Sequence, residues 1–211
     1  MVMQSLEHDV VGEFETAWAN PRHTRAVAPA IDVNRVLRER YETSKPLTFT
    51  RAMLWDVEQR KAASPGTYIP YVVRAGSDRS WARRSSHGRA QLLERYSEQR
   101  LWLQPDRYGL VLERAYLDHD RQVVTFIGET ALQDSDGRML HATTLQPRFH
   151  VEHGVGGTEE TPLNLWRIVH LTDGQDRRLT EVFSRIWQSP WLPEFIEIYI
   201  ERDLKIGLGR R

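Results

Sequence analysis

The chain has 211 residues, of which 40% are hydrophobic and 27% are charged, so it can bury a substantial core. Its 29 basic residues balance 29 acidic ones, which argues against a dedicated nucleic-acid-binding protein. Cysteine is absent, and this excludes disulfides, thiolate nucleophiles and cysteine-ligated metal centres.

No segment has the features of a secretion signal or a membrane span. The N-terminal residues lack a basic region followed by an apolar stretch, and no apolar run approaches the length that crosses a bilayer. We therefore expect a cytoplasmic protein with no membrane and no nucleic-acid partner. The length fits a single domain over 1–211, with N-terminal helices in 1–45, a sheet core in 46–153 and a C-terminal helical extension in 154–211.

Three helices are predicted in the first third of the chain. Apolar residues recur at every fourth position from Leu6 to Trp18 and predict an amphipathic helix over about 5–19. Asp32 is a suitable N-cap for a second helix. A short strand then leads into a third helix, which we expect to be capped near Thr50.

The next segments give weaker signals. Residues 67–74 are rich in β-branched and aromatic side chains, but Pro70 limits them to an edge strand at best. Residues 79–99 are polar, and we predict them to be mostly helical. The arginines of this segment could hold the phosphates of coenzyme A or of a carrier-protein arm, with a solvated helix face as the alternative; they are Arg79, Arg83, Arg84, Arg89 and Arg95.

An antiparallel meander is predicted over 107–117, 122–133 and 138–153, because apolar residues in these three segments are separated by two turn signals. The first turn is Asp118-His119-Asp120, and the second is Asp134-Ser135-Asp136-Gly137. Beyond a glycine-rich loop, we predict a strand over 163–171, helices over 179–187 and 194–205, and a loose C-terminal tail.

Closing the two turns fixes which residues of the meander face each other. We expect Leu117 to pair with Gln122 and Thr130 to lie opposite His141. A one-residue error at the second turn would move His141 to the other face of the sheet. The more polar of the two faces then carries a row of side chains across three strands, Arg114, Thr125 and Gln146.

Two residues stand out on the predicted core face, Glu113 and His141. Burying an unpaired carboxylate or imidazole costs several kcal/mol, so each requires a partner, an altered pKa or solvent, and a pocket would supply one. Exposure at the sheet margin is the alternative. We take Glu113, His141 and His150 as candidates for proton transfer, and Trp102, Tyr116 and Arg148 as candidates for substrate contacts.

A metal site is the weaker interpretation of the histidines. His150 and Glu152 share one strand face at a spacing that can chelate a metal, but a third ligand would have to come from His119, His170 or an unassigned carboxylate. We therefore predict no metal and no cofactor.

The segment Tyr96–His153 resembles the second half of a hot-dog thioesterase or dehydratase. The similarity rests on a strand near Arg100–Gln104, the acidic turn at Asp136-Gly137 and the strand His141-Ala142-Thr143. The meander, with helices before it, also resembles the cone-shaped domains of ketosteroid-isomerase-like polyketide cyclases. Either resemblance implies an α+β fold in which a curved antiparallel sheet packs on helices, hot-dog or cone-shaped and cystatin-like, here with C-terminal helices. No catalytic motif of either family is matched.

Two functions are compatible with these observations. The first is a cofactor-independent enzyme that acts on an acyl or polyketide-like small molecule by general acid–base chemistry, through thioester hydrolysis, dehydration, isomerisation or cyclisation. Its substrate could be carried on coenzyme A or a carrier protein, and a homodimer is one arrangement left open. The second is a non-catalytic small-molecule-binding or subunit-interface protein that uses the same pocket.

Overall fold

The computed structural model describes residues 2–83 and 90–211. They form an α+β structure in which one large antiparallel sheet has helices against both faces, which confirms the predicted class. Among the described residues, no helix combines the length and the hydropathy that a bilayer crossing requires. The helices are α1 (Val2–Ala19), α2 (Val33–Arg40), α3 (Arg51–Ala63), α4 (Pro65–Tyr68), α5 (Arg177–Trp187) and α6 (Glu194–Arg202).

The strands fall into one large and two small sheets. They are β1 (Thr24–Val27), β2 (Ile31–Asp32), β3 (Tyr41–Thr43), β4 (Arg79–Arg83), β5 (Ala90–Arg100), β6 (Tyr108–Asp118), β7 (Val123–Glu129), β8 (Ala131–Gln133), β9 (Met139–His141), β10 (Phe149–Gly157), β11 (Pro162–His170) and β12 (Leu208–Arg210). The large sheet has the order β1-β11-β10-β7-β6-β5-β4, and β2 pairs with β11. Strands β3 and β12 form one small sheet, and β8 and β9 form the other.

The predicted caps of α2 and α3 are confirmed. The Asp32 carboxylate accepts a hydrogen bond from the Arg35 backbone N–H, and the Thr50 hydroxyl accepts one from the Met53 N–H. Each cap satisfies a backbone donor that the first helical turn leaves free.

The two faces of the large sheet bury two separate apolar clusters. One face packs on α3 and α6 in the main core, around Phe126 and Val151. The other face packs on α1 around Phe14 and Ile127.

Arg114 and Arg167 of the sheet form salt bridges with α1. Arg114 pairs with Glu13 of the helix and with Glu129 of β7, and Arg167 pairs with Glu15 of the helix and with a carboxylate of β10.

The predicted pairing of β6 with β7 is displaced by two residues, because Leu117 pairs with Val124 rather than with Gln122. The turn is set by Asp118, whose carboxylate accepts the Arg121 N–H, and by the left-handed conformation of Gln122. Side chains alternate along a strand with a period of two, so an even displacement keeps every residue on its predicted face. Glu113 therefore does lie on the main-core face.

The prediction of one continuous third strand over 138–153 is wrong. It divides into β9 and β10, which belong to different sheets, and Pro147 lies between them, where it cannot donate to a ladder. The β8–β9 turn contains five residues, 134–138, and so Ala131 rather than Thr130 lies opposite His141. The predicted row of Arg114, Thr125 and Gln146 does not form either, since Arg114 pairs with Ile127 and Gln146 lies in the 142–148 loop.

Other predictions also require correction. Residues 79–83 and 90–99 are strands rather than a helix, and Arg84 and Arg89 lie outside the described residues. Residues 67–74 form the end of α4 and turns, and only an isolated bridge from Val73 to Gln99 of β5 remains of the expected edge strand. The C-terminal tail forms β12, paired with β3. The sheet also extends beyond the predicted 46–153 core, because β1, β2 and β11 belong to it.

Candidate functional site

A cavity of about 350 Å³ lies between the main-core face of the sheet and the helices on that side. A volume of this size accommodates a small organic ligand. One end of the cavity is lined by aromatic rings from the sheet and α5. The other end has a polar floor built by α3, β5, β6 and β10, with Lys61, Arg95, Gln99, Glu113 and His153 in its lining.

The inner face of α3 supplies two charges to this floor. Leu54, Val57, Glu58 and Lys61 follow one another at the spacing of a single helix face, and all four are buried. An ordinary core helix would have apolar residues at all four positions. Here the last two are charged, and they form a salt bridge of 2.5 Å between Glu58 Oε2 and Lys61 Nζ.

The Lys61 ammonium is surrounded by three groups that match its three N–H bonds. Besides Glu58, its Nζ lies 3.0 Å from Nδ1 of His153 and 3.7 Å from the ring centroid of Phe195. Burial lowers the pKa of Lys61, and the Glu58 carboxylate opposes this effect. Asn164 donates to the second oxygen of Glu58 at 3.1 Å, so the carboxylate is held from both sides.

His153 is held between two aromatic rings and the Lys61 amine. Its ring stacks on Trp166 at 5.5 Å and meets the edge of Phe126 at 5.7 Å. Burial and the nearby charges of Lys61 and Arg95 keep the pKa of His153 well below its usual value, so the imidazole is neutral. Because Lys61 donates to Nδ1, the ring proton lies on Nε2. Nε2 makes no hydrogen bond to any described residue, and the ring borders the cavity.

The two oxygens of the Glu113 carboxylate have different surroundings. Oε2 accepts from Nε of Arg95 at 2.8 Å and from Nε2 of Gln99 at 3.3 Å, and Nη2 of Arg95 lies 2.8 Å away. Oε1 accepts no hydrogen bond within 2–83 and 90–211, although the residue borders the cavity. One oxygen is therefore fixed, and the other is available to a ligand.

Arg95 connects the Glu113 end of the floor to the Lys61 end. Its Nη1 donates to the backbone carbonyls of Lys61 and Ala62 at 3.3 and 3.1 Å, and its guanidinium lies over the Phe126 ring at 4.3 Å.

The acid–base groups at the two ends are too far apart to bond to each other. Glu113 pairs with Gly128 of β7 and His153 pairs with Val124 of the same strand. Their backbones are thus separated by about 13 Å along the strands and about 10 Å across them. Both side chains face the same cavity, so they can contact one ligand from two sides.

Three tryptophans that border the cavity pack around the buried ring of Phe183. Phe183 of α5 lies at the centre, with its ring centroid 5.0 Å from that of Trp102, 5.5 Å from that of Trp166 and 5.6 Å from that of Trp187. The indole nitrogens of all three tryptophans are buried and have no hydrogen-bond partner in the described part of the chain.

Of the six residues proposed from the sequence, Glu113 and Trp102 border this cavity. His141 is exposed on the β8–β9 hairpin, because the turn is one residue shorter than the predicted pairing requires. Its position removes it from the cavity.

Three of the proposed residues lie elsewhere. Tyr116 and His150 point to the α1 face of the sheet, where Nδ1 of His150 accepts the Gly128 N–H at 3.1 Å. Arg148 lines a smaller cavity of about 210 Å³ beneath the 142–148 loop.

The residues considered for a metal site are engaged in other contacts. Glu152 binds Arg167, the His119 ring packs on Trp55, and the His170 ring packs between Phe149 and Phe183. No group of three or more His, Asp or Glu side chains converges within the described residues.

The sequence analysis does not single out Glu58, Lys61 or His153, and it considers Arg95 for phosphate binding, whereas Arg95 pairs with Glu113. The α3 stripe was a usable signal for the first two, since charges occupied half of its core positions. Arg95 was placed on a helix, and His153 was seen only as the end of a strand.

No protein-family model matches this sequence, and no curated protein matches it. Solved structures similar to the chain include the ZhuI aromatase/cyclase from Streptomyces sp. R1128, with 11% identity, 87% of each chain covered and a TM-score of 0.40. Ara h 8.0201 has 8% identity, with 75% of this chain and 95% of that one covered and a TM-score of 0.43. An uncharacterised protein from Bacillus thuringiensis has 14% identity, with 70% and 90% covered and a TM-score of 0.39. At these scores we base no conclusion on the similarity.

Proposed function

We propose that the protein is a cofactor-independent enzyme that acts on a carbonyl-bearing acyl or polyketide-like small molecule by general acid–base chemistry in the large cavity. The reaction that the site supports best is an intramolecular aldol-type cyclisation with loss of water. The observation that carries this proposal is the Glu113 carboxylate, with one oxygen held by Arg95 and Gln99 and the other free in the cavity wall. We also assign the sheet to the cone-shaped rather than the hot-dog type, supported by the position of the cavity between one sheet face and the helices.

Glu113 is the base in this scheme. Its Oε1 takes a proton from the carbon next to a ligand carbonyl, and the C–H electron pair forms a new C–C bond to a second carbonyl carbon of the same molecule. Orienting a base in this way before the substrate arrives lowers the entropic cost of the step. In the loss of water, the restored Glu113 carboxylate takes the second proton from the same carbon, the C–H electron pair forms the C=C bond, and the hydroxyl group leaves as water with a second proton from His153.

His153 is the acid. Its Nε2 proton passes to the oxygen of the attacked carbonyl, which becomes a hydroxyl group, while Lys61 passes a proton to Nδ1 so that the ring stays neutral. Burial lowers the pKa of Lys61 and favours this release. The proton on Glu113 returns to the amine through solvent, which restores both groups.

A non-catalytic small-molecule-binding protein is the second candidate. It is favoured by the pairing of the buried charges, Arg95 with Glu113 and Lys61 with Glu58, since ion pairs of this kind also occur as purely structural elements. A binder would need the aromatic end of the cavity but not the free carboxylate oxygen.

The test uses phenacylacetone, a diketone whose aldol condensation gives a conjugated phenylcyclopentenone that is followed by its absorbance. We expect the wild-type protein to accelerate this reaction and Glu113→Gln to lower the rate by about a hundredfold or more. Glu113→Asp keeps a carboxylate beside Arg95, but its shorter side chain moves the reacting oxygen away from the ligand. This variant therefore distinguishes loss of the base from loss of the fold. His141→Ala is the matched control, because that ring is exposed and far from the cavity.

Binding of phenacylacetone without turnover by the wild-type protein would favour the binder. Equal rates for wild type, Glu113→Gln and Glu113→Asp would rule out Glu113 as the base.

A further inference from the structure

The side-chain amide of Asn164, on the cavity face of β11, uses only one of its two ends. The residue is 5% exposed, and its Nδ2 donates to Oε1 of Glu58 at 3.1 Å. Its Oδ1 accepts no hydrogen bond from any described residue, and it is not among the fully shielded polar atoms that lack a partner. Because Asn164 borders the cavity, the accessible surface of this oxygen opens onto it.

The orientation of this amide is fixed by Glu58. A carboxylate only accepts hydrogen bonds, so a rotated amide would place Oδ1 against an oxygen of Glu58, where two acceptors repel each other. Asn34 provides an internal comparison, since it is also 5% exposed. Its Oδ1 accepts the Phe49 N–H at 2.8 Å, and its Nδ2 donates to the carbonyls of Phe49 and Glu160. A buried asparagine with a structural role thus uses both ends here, and the free oxygen of Asn164 is a feature of the cavity.

A donor lies beside this acceptor. The register of β10 with β11 makes His153 and Asn164 diagonal neighbours on the cavity face, with Cα atoms about 7 to 8 Å apart. Nδ1 of His153 contacts Lys61 and Nδ2 of Asn164 contacts Glu58, so both side chains turn one end towards the same salt bridge. The ends that remain are Nε2–H of His153, a donor, and Oδ1 of Asn164, an acceptor.

We propose that Asn164 is a specificity-determining residue for a hydroxyl group of the ligand: Oδ1 accepts the hydroxyl hydrogen, while Nε2 of His153 donates to the hydroxyl oxygen. This names the substrate class as hydroxylated compounds and rests on the proposed function. In that scheme the attacked carbonyl becomes a hydroxyl group beside His153, and Asn164 holds this group until it leaves as water.

Selectivity follows from the hydrogen-bonding capacity of the two ends. A hydroxyl group is both a donor and an acceptor, so it matches the pair, whereas a ketone oxygen satisfies His153 and leaves Oδ1 facing a second acceptor. Sites built to pair a hydroxyl group discriminate strongly against analogues that lack it. The competing arrangement is a cavity water that donates to Oδ1 and is never replaced by a ligand group.

The test compares 9-fluorenol with 9-fluorenone, which differ only in an alcohol in place of a ketone, by equilibrium dialysis against the full-length protein. We expect the wild-type protein to bind fluorenol more tightly. Asn164→Ala should weaken fluorenol binding roughly threefold to tenfold, the loss of one hydrogen bond, and leave fluorenone binding within about twofold.

Ile31→Val is the matched control. Ile31 pairs with Asn164 from the neighbouring strand β2 and borders the cavity, but it offers no polar group. This substitution should change the affinities for both compounds by the same factor.

Equal affinity of the wild-type protein for both compounds, or equal losses for both in Asn164→Ala, would overturn the proposal and leave Asn164 only the structural task of holding Glu58. The wild-type comparison decides the matter even if Asn164→Ala, which deprives Glu58 of a donor, does not fold. These measurements need no turnover, so the proposed catalysis can fail in the phenacylacetone assay while the hydroxyl site stands. If neither compound bound the wild-type protein, the hydroxyl site would be rejected.

Discussion

The salt bridge between Glu58 and Lys61 is costly for its position, because the side chains are 0% and 3% exposed. Removing two charges from water costs several kcal/mol per ion, and their mutual attraction repays this only when further hydrogen bonds are made. Asn164 and His153 make those bonds. We therefore explain the pair by the hydrogen bond that Lys61 donates to Nδ1 of His153, rather than by a contribution to the stability of the fold.

Replacing one partner of this pair should destabilise the protein strongly. We expect Lys61→Met to lower the free energy of unfolding by about 3 to 5 kcal/mol, because Glu58 is left as an unpaired buried charge. Urea denaturation measures this loss.

The double variant Glu58→Gln with Lys61→Met should recover most of that stability, since it removes both charges and leaves an amide that Asn164 can still pair with. Strictly additive effects of the two substitutions would contradict a direct interaction. The proposed acid role predicts separately that the double variant stays slow in the phenacylacetone assay even where it is well folded, because His153 has lost its proton source.

At the scale of elements, α3 matters because it positions Glu58 and Lys61. Its first turn depends on Thr50, whose hydroxyl accepts the Met53 N–H at 3.1 Å. We expect Thr50→Ala to reduce the free energy of unfolding by about 1 kcal/mol, the usual effect of losing an N-cap. Thr16→Ala, at an exposed position within α1, is the control and should not destabilise the protein, since alanine is the stronger helix former. Equal losses of stability in the two variants would show that the cap contributes nothing.

The faces of β6 and β7 were predictable from sequence, whereas the order of strands was not. Val111, Glu113 and Ala115 lie on one face of β6, and a register error of two residues does not change that face. The prediction that Glu113 lies on the main-core face is therefore correct, although the predicted pairing partner is not. Odd errors do not cancel. In the β8–β9 turn, the Asp134 carboxylate accepts hydrogen bonds from two backbone N–H groups, and these bonds fix the length of the turn. Hydrophobic periodicity does not reveal that length. The resulting one-residue difference in register places His141 away from the predicted site.

Strand β5 was mistaken for a helix because its core-facing side is polar. Arg95, Ser97 and Gln99 alternate correctly for a strand, but hydropathy counts each of them as solvent-facing. Only the partners that neutralise them, such as Glu113 on the next strand, explain their burial. Those contacts join distant parts of the chain and have no local signature.

Over the whole molecule, three histidines link stability to pH, and one of them is His153, whose pKa burial keeps well below its usual value. His150 and His170 are both 1% exposed, and burial lowers the pKa of each to about 4. In the unfolded chain a histidine titrates at about 6.5. Between these values the unfolded state binds protons that the folded state does not, so their contribution is fully present above about 6.5 and is lost as the pH falls towards 4.

We therefore expect the free energy of unfolding, measured by urea denaturation, to fall between about pH 6.5 and pH 4, by up to about 1.4 kcal/mol per pH unit for each histidine. His150→Gln should reduce this slope, since the amide oxygen can accept the Gly128 N–H without titrating. His141→Gln, on the exposed hairpin, should leave the slope as it is in the wild type. A slope unchanged by His150→Gln would mean that His150 is not buried in neutral form.

The contacts of α1 with the sheet also constrain how the strands can change in length. Arg114, which holds α1, is the chain neighbour of Glu113 in the cavity wall, and Glu152, which binds Arg167, is the neighbour of His153. A single-residue insertion or deletion within β6 or β10 would reverse which of two neighbouring residues faces the cavity. The charged residue that binds at the α1 face would then point into the cavity, and the cavity residue would point towards α1. Evolutionary variation in chain length should therefore be confined to the turns, whereas these two strands can vary only by substitution.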